Sequence, residues 1–169
     1  MLRKPQKPDY TDPGVWRPIA LLSTIGKLIE TLAAHKLSAL TEQARLLPDT
    51  QMGNWKNRST DVALDLLTEQ IHTVWQEKDQ AASVLSLDIA GAYDTVDHKR
   101  LLDNLQKKKV PLWFTQLIQS FLTDCSTTLI VDGVETAAHQ LKAGVPQGSP
   151  LSPILFLFYN GPLLEALSH

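Results

Sequence analysis

Cysteine is almost absent from this sequence, since Cys125 is the only one among 169 residues. A single thiol excludes an internal disulfide framework and any zinc site that needs several cysteines. Nothing else in the composition is unusual: 43% of the residues are hydrophobic and 20% are charged. These proportions are those of a globular protein, so we expect one folded domain or part of a larger one.

Long apolar runs are also missing. No segment approaches the ~20 consecutive apolar residues that a membrane-spanning helix requires, so we expect no membrane partner. The N-terminal residues 1–8 are basic but lack the apolar region of a secretory signal. We therefore expect an intracellular location, nuclear or cytoplasmic.

An excess of positive charge is missing as well. The formal net charge is −2, which counts against a strongly basic nucleic-acid-binding domain. Basic residues cluster within 99–109, and Lys56 and Arg58 form a smaller pair. Each group alone favours a solvated surface. We expect residues 107–109 to be exposed at a helix end, where cations complement the helix dipole.

Hydrophobic periodicity predicts an α+β fold. Helices are predicted at residues 24–47, from Ser59 onward, at 99–108, at 112–122 and from Ser152 onward, the last with a kink at Gly161-Pro162. The stripe of the second helix should pack on a core. Strands are predicted at 83–88, 127–131 and 135–141. We expect 84–88 and the 127–141 hairpin to share one antiparallel sheet, covered on one face by helices.

Acidic residues follow the first predicted strand. Asp88 ends that strand, and Asp94 and Asp97 come shortly after it. A carboxylate at a strand end is a rigid anchor for Mg²⁺, which prefers hard oxygen ligands, and the carbonyl of Ile89 would lie nearby. By itself, however, this spacing favours an ordinary loop with helix caps.

Glycine and proline punctuate residues 144–153, which read Gly-Val-Pro-Gln-Gly-Ser-Pro-Leu-Ser-Pro. They fix an unusual backbone path before a helix. Gly148 would let a nucleotide or base pair approach the main chain closely, and the helix start offers N–H groups to an anion. A rigid turn before a core helix is an equally good interpretation.

Two further segments are basic: residues 17–27, with Arg17 and Lys27, and residues 51–60, with Lys56 and Arg58. Basic side chains in extended loops can bind phosphates, although each alone is more often surface decoration.

Together, the order and spacing of these four segments resemble the reverse transcriptase domain of non-LTR (LINE-type) retrotransposons, particularly fungal elements. Residues 17–23 resemble the first finger motif and residues 51–60 the second. Residues 86–98 resemble motif A, of the form F-D-x-x-x-A-F-D, and residues 144–156 resemble motif B with its core P-Q-G-S-P-L-S-P. The resemblance covers residues 15–167.

The resemblance implies a right-hand polymerase. Residues 1–14 would be an exposed lead-in, residues 15–80 a fingers-like helical region, and residues 81–169 a partial palm whose antiparallel sheet is covered by helices. The intact protein would be an RNA-directed DNA polymerase that extends a DNA primer on an RNA template from dNTPs, with two Mg²⁺ ions.

It also implies roles for particular residues. Asp88 would be one of two catalytic, metal-binding aspartates, and Ile89 would offer its carbonyl to the metal. Tyr93 would be the steric gate under the incoming sugar, with its ring beside Asp88 rather than in the core. The other implied nucleotide-binding residues are Gln147, Gly148, Arg17 and Lys27, and the implied template-binding residues are Lys56 and Arg58.

The sequence departs from the family pattern at four places, two of which are Cys125, where Arg is frequent, and Tyr93, where Phe is more common. Motif C, Y/F-A-D-D, is not among residues 1–169, and Trp55 stands where a basic residue is common. We therefore expect a truncated or decayed element copy that is inactive by itself. A non-catalytic nucleic-acid-binding fragment and a remnant without retained function remain open alternatives.

Overall fold

Helices dominate the computed structural model, which describes residues 1–55, 58–77, 80–131 and 133–167. Its helices are α1 (Thr24–Ala44), α2 (Thr60–Gln76), α3 (His98–Lys107), α4 (Leu112–Leu122) and α5 (Ser152–Leu167). Its strands are β1 (Leu2–Arg3), β2 (Trp16–Arg17), β3 (Ser126–Thr127), β4 (Ile130–Val131), β5 (Val134–Glu135) and β6 (His139–Gln140). They pair antiparallel as β1 with β2, β3 with β6, and β4 with β5. The α+β class is therefore as predicted.

Side-chain caps fix three of the helix starts. A cap oxygen accepts a hydrogen bond from a backbone N–H that has no partner inside the helix. Ser23 Oγ accepts from Gly26 N at 3.0 Å and begins α1. Ser59 Oγ begins α2 in the same way, and Asp97 Oδ1 begins α3. The helix-cap interpretation is therefore confirmed for Asp97.

The core lies where α3, α4 and α5 pack together, closed on one side by α1. Its fully buried apolar side chains include Leu37, Leu101, Leu105, Phe114, Ile118, Leu155 and Phe158. Helix α5 buries Ile154, Leu155, Leu157 and Phe158 in this core, and the partly buried Phe156 and Tyr159 pack against it.

The buried side-chain amide of Asn104 compensates for the hydrogen bond that the proline inside α5 removes. Pro162 has no N–H, so the carbonyl of Phe158 loses its helical donor. Asn104 of α3 replaces this donor: its Nδ2 donates to the carbonyls of Phe158 and Tyr159, at 3.2 Å each. The helix continues through Pro162, and the same contact holds α3 against α5.

The predicted single sheet is wrong. Residues 83–88 form no strand, and within the described ranges no segment pairs with them. The hairpin is divided into two short ladders, and Ile130 and Val134 of the second are 54% and 70% exposed. An alternating pattern forms a strand only where a neighbour supplies ladder hydrogen bonds and apolar cover. Leu85, 82% exposed, has no such cover in this structure.

The predicted packing of the α2 stripe on the core also fails. No residue of α2 is buried, so its stripe does not lie on the core. In α1 the apolar residues Ile25, Leu28 and Leu32 are exposed. The buried face of α1 instead carries Glu30, Ala33, Leu37 and Thr41. Periodicity located these helices correctly but not the faces that become buried.

The N-terminal residues are mostly exposed and fold back on themselves. Strand β1 pairs with β2, and the Arg3 guanidinium lies over the rings of Tyr10 and Trp16, 5.3 and 5.2 Å from their centres. Among the helices that the structure describes, none is long and apolar enough to cross a membrane.

Candidate functional site

The structure joins the two most distinctive segments of the sequence. We call residues 88–98 the acidic turn and residues 144–152 the Gly-Pro loop. Two backbone hydrogen bonds of 2.8 Å connect them, from Gly144 N to Val96 O and from Val145 N to Tyr93 O. Because both bonds involve backbone atoms, the two segments are held in a fixed register.

Gly144 is required at this junction. Its φ of +92° is in the region that favours glycine, and a Cβ there would lie 3.0 Å from Asp94 O and 3.2 Å from Tyr93 O. His98 Nε2 lies 2.7 Å from Gly144 O. Because a carbonyl oxygen can only accept, Nε2 is protonated and donates this hydrogen bond. Backbone and side chain together hold the acidic turn against the loop.

The first basic segment contacts the other side of the Gly-Pro loop. Ala20 N donates to Gln147 O at 2.8 Å. A Cβ on Gly148, whose φ is +112°, would lie 3.3 Å from Ala20 O. The sequence predicted that Gly148 admits a nucleotide, whereas the close neighbour in the structure is this chain's own backbone.

One buried polar pair was missed from the sequence. Ser149 Oγ donates to Glu30 Oε2 and accepts from Leu151 N at 3.1 Å. Glu30 is 7% exposed and Ser149 4%. The sequence signal was the spacing of Glu30 with Ala33 and Leu37, which places an acid on the buried face of α1.

The described residues do not make a complete metal site. Asp88 and Ile89 lie in the exposed, irregular start of the acidic turn, and Asp97 serves as the cap of α3. Across the described ranges, no three His, Cys, Asp or Glu residues are grouped closely enough to hold a metal ion. Asp88 and Ile89 offer one carboxylate and one carbonyl, whereas Mg²⁺ requires near-octahedral oxygen coordination. These donors can therefore form only part of a Mg²⁺ site.

Tyr93 lies at the margin of the core. Its ring is half-buried and meets the ring of Phe156 edge-on, with centroids 5.4 Å apart. Burial raises the pKa of the phenol above its usual value. The ring thus packs against the margin of the core without filling it, and its position beside Asp88 at the sugar stays a prediction. The steric-gate role stays a prediction.

The predicted phosphate-binding residues differ in their surroundings. Arg17 on β2 and Lys27 in the first turn of α1 are exposed. Lys56 lies outside the described residues. Arg58 faces its own loop: Nη1 donates to the carbonyls of Asp49 and Gln51. The Arg58 guanidinium also lies 5.1 Å from the centre of the Trp55 ring, so the unusual Trp55 helps to organise this loop.

Not all of the basic residues at the end of α3 are exposed to solvent. Lys107 and Lys109 are exposed, as predicted, whereas Lys108 is half-buried and forms an ion pair with Glu165 of α5. Lys108 thus joins two core helices.

Comparison with known families decides the class of protein. A family model described as reverse transcriptase (RNA-dependent DNA polymerase) matches residues 3–169. The chain belongs to this family. The family carries out nucleotidyl transfer, and the acidic turn and Gly-Pro loop are parts of its matched region.

Individual relatives place the chain among retrotransposon reverse transcriptases. It is 34% identical over 163 residues to a probable RNA-directed DNA polymerase from transposon BS of Drosophila melanogaster, over 96% of this chain and 18% of the relative. It is 33% identical over 153 residues to a retrovirus-related Pol polyprotein from the R2 element of Popillia japonica, over 90% and 21%. It is 31% identical over 163 residues to the RNA-directed DNA polymerase of the jockey element of Drosophila funebris, over 96% and 18%.

These matches support the non-LTR retrotransposon class but not a fungal origin, because the relatives come from insects. The chain spans about a fifth of the length of these relatives. It therefore matches one stretch of these retrotransposon reverse transcriptases.

Proposed function

We propose that residues 15–80 are the fingers region and residues 81–169 the first palm section of a right-hand polymerase, preceded by a lead-in at residues 1–14. The complete protein would extend a DNA primer on an RNA template from dNTPs. Family membership supports the chemistry, and the helices and short antiparallel ladders are compatible with this architecture.

The observation that carries the proposal is the contact between the acidic turn and the Gly-Pro loop. Two segments distant in sequence are joined by the bonds of Gly144 and Val145, and Ala20 contacts the loop from its other side. A nucleotide-binding site requires such convergence, because the groups that touch phosphate, sugar and base must keep fixed relative positions.

Within this site we propose distinct roles. Asp88 and Ile89 supply part of the oxygen ligands of Mg²⁺, and further ligands come from outside the described residues. Bound Mg²⁺ would stabilise charge on phosphate oxygens. Tyr93 faces the sugar, and Gln147 and Gly148 line the nascent base pair. The proposed phosphate contacts are Arg17 and Lys27 for the nucleotide and Lys56 and Arg58 for the template.

Primer extension on poly(rA)/oligo(dT) with Mg²⁺ tests this function, in a polypeptide that carries these residues within a complete reverse transcriptase domain. Asp88→Ala should reduce extension by at least the ~100-fold that loss of an outer-shell metal partner can cost. Asp103→Ala is the matched control, because Asp103 is an exposed acid in α3, and it should leave extension unchanged. No extension by the unmodified polypeptide, or full activity of Asp88→Ala, would contradict the proposal.

A second function for residues 1–169 by themselves is nucleic-acid binding without catalysis. Arg17 and Lys27 are exposed and able to contact phosphates, and the described ranges contain no group of three potential metal ligands. We expect this chain alone to bind primer–template weakly and not to extend it. Fluorescence anisotropy with a labelled poly(rA)/oligo(dT) measures the binding. Extension that disappears in Asp88→Ala would disprove the inactivity, and absence of binding would disprove the second function.

A further inference from the structure

Glu30 is an unusual residue for the buried face of a helix. A buried carboxylate is costly unless a hydrogen-bonding partner compensates for the lost water. Its neighbours on this face, Ala33 and Leu37, are apolar and contribute to the core. An acid at this position therefore indicates a specific partner rather than general packing.

That partner is the middle of the Gly-Pro loop. Ser149 donates its hydroxyl hydrogen to Glu30 Oε2, and the hydroxyl oxygen of Ser149 accepts from Leu151 N. Hydrogen bonds to a charged group are roughly twice as strong as neutral ones. The contact thus connects α1 to the loop immediately after Gly148 and before the start of α5.

The loop residues next to Ser149 are those that meet the first basic segment. Gln147 O accepts from Ala20 N, and Gly148 lies directly against Ala20 O. The bonds of Gly144 and Val145 to the acidic turn are made further upstream in the loop. The loop is therefore held at two separate points, one by the acidic turn and one by Glu30 and Ala20.

We propose that Glu30 is a positioning residue for the polymerase reaction, which holds Gln147 and Gly148 in place through Ser149. This inference rests on the proposed function. Glu30 itself touches no substrate; it fixes the loop surface on which the incoming nucleotide pairs. Its loss should therefore weaken productive dNTP binding more than it slows the chemical step.

Amide hydrogen exchange on the chain tests the contact without any enzymatic activity. Glu30→Gln keeps the shape and an acceptor but removes the charge. It should speed exchange of the Leu151 and Ala20 amides by about tenfold, the loss expected for a hydrogen bond to a charged group. The amides of Gly144 and Val145 should exchange as before.

Glu42→Gln is the matched control for this measurement, since Glu42 is an exposed acid of the same helix. It should change none of these rates. Unchanged exchange at Leu151 and Ala20 in Glu30→Gln, or no protection of these amides in the unmodified chain, would overturn the proposal.

Steady-state kinetics in the complete reverse transcriptase domain test the positioning role. Glu30→Leu removes the acceptor and should raise KM for dTTP on poly(rA)/oligo(dT) by about tenfold, with kcat changed less than about twofold. Ser149→Ala should behave similarly, and the double variant should be no worse than either alone, because both remove one contact.

A merely structural role predicts a different result. Misfolding lowers the active fraction, so kcat would fall while KM stayed constant, and that outcome would overturn the proposal. Additive effects of the two substitutions would also contradict it. If the unmodified domain extends no primer, the proposed function fails, and the exchange experiment still decides whether Glu30 holds the loop.

Discussion

Two regions of this molecule carry similar apolar patterns, but in one the apolar side chains are buried and in the other they are exposed. In the helical core, formed by α3, α4, α5 and the buried face of α1, Leu105 is completely buried. In the open segments, which we define as α2, residues 80–90, residues 126–130 and residues 133–141, Leu85 is 82% exposed. An amphipathic pattern shows that a face can be buried, but burial itself requires a partner surface.

The candidate site lies across the boundary between these regions. The end of the acidic turn, with Tyr93 and Val96, is bonded to the Gly-Pro loop on the core. Its start, with Asp88, lies within the open segment 80–90. The structure therefore gives the Gly-Pro loop a firm support and leaves the Asp88 carboxylate on an unpaired stretch.

The largest contrast should come from truncating one side chain in each region. Phe158→Ala empties a fully buried position and should lower the free energy of unfolding by about 3–5 kcal/mol. Val134→Ala, in the exposed hairpin, should change it by less than about 0.5 kcal/mol. Urea denaturation measures both. Equal effects would mean that the two regions are not packed differently.

Two glycines with positive φ make a finer comparison. Gly144→Ala adds both backbone strain and a contact 3.0 Å from Asp94 O, so we expect a loss of about 3 kcal/mol. Gly133→Ala, in the open hairpin, meets no atom within 4 Å and should cost only the strain, about 1 kcal/mol. Thermal unfolding of both variants tests this difference. Unchanged stability of the Gly144→Ala variant would contradict the docking of the acidic turn.

The support of Pro162 by Asn104 predicts an interaction between two substitutions. Asn104→Leu leaves the Phe158 carbonyl without its donor and should cost about 1–3 kcal/mol. Pro162→Ala restores a helical N–H, so the same change at Asn104 should then cost less. A double-mutant cycle in urea measures the coupling. Additive losses would show that Asn104 does not compensate for the proline.

The smallest effect concerns Cys125, which lies at the start of the open hairpin. Partial burial, and then the charge of Asp124, raise the pKa of its thiol. At a given pH the folded chain has less thiolate, so iodoacetamide should react more slowly than with the urea-unfolded chain. The difference should disappear as the pH rises above both pKa values. Faster reaction of the folded chain would contradict this.

The sequence predicted local structure better than packing. Helices α1 and α2 begin where predicted, and Ser23 and Ser59 cap them, because a cap depends only on neighbouring residues. The strand at 83–88 was wrong, because pairing depends on distant residues. Motif resemblance singled out the two segments that meet at Gly144 without predicting their contact. The Glu30–Ser149 contact also required the fold, since its partners are far apart in sequence.

Residue-resolved amide exchange of the unmodified chain tests the central claim, that the acidic turn and the Gly-Pro loop form one unit on the helical core. The amides of Gly144 and Val145 donate to the acidic turn, so we expect them to be protected like the buried parts of α3 and α4. The amides of residues 84–88 should exchange at nearly unprotected rates. Rapid exchange at Gly144 and Val145, with protection retained in α3 and α4, would contradict the account.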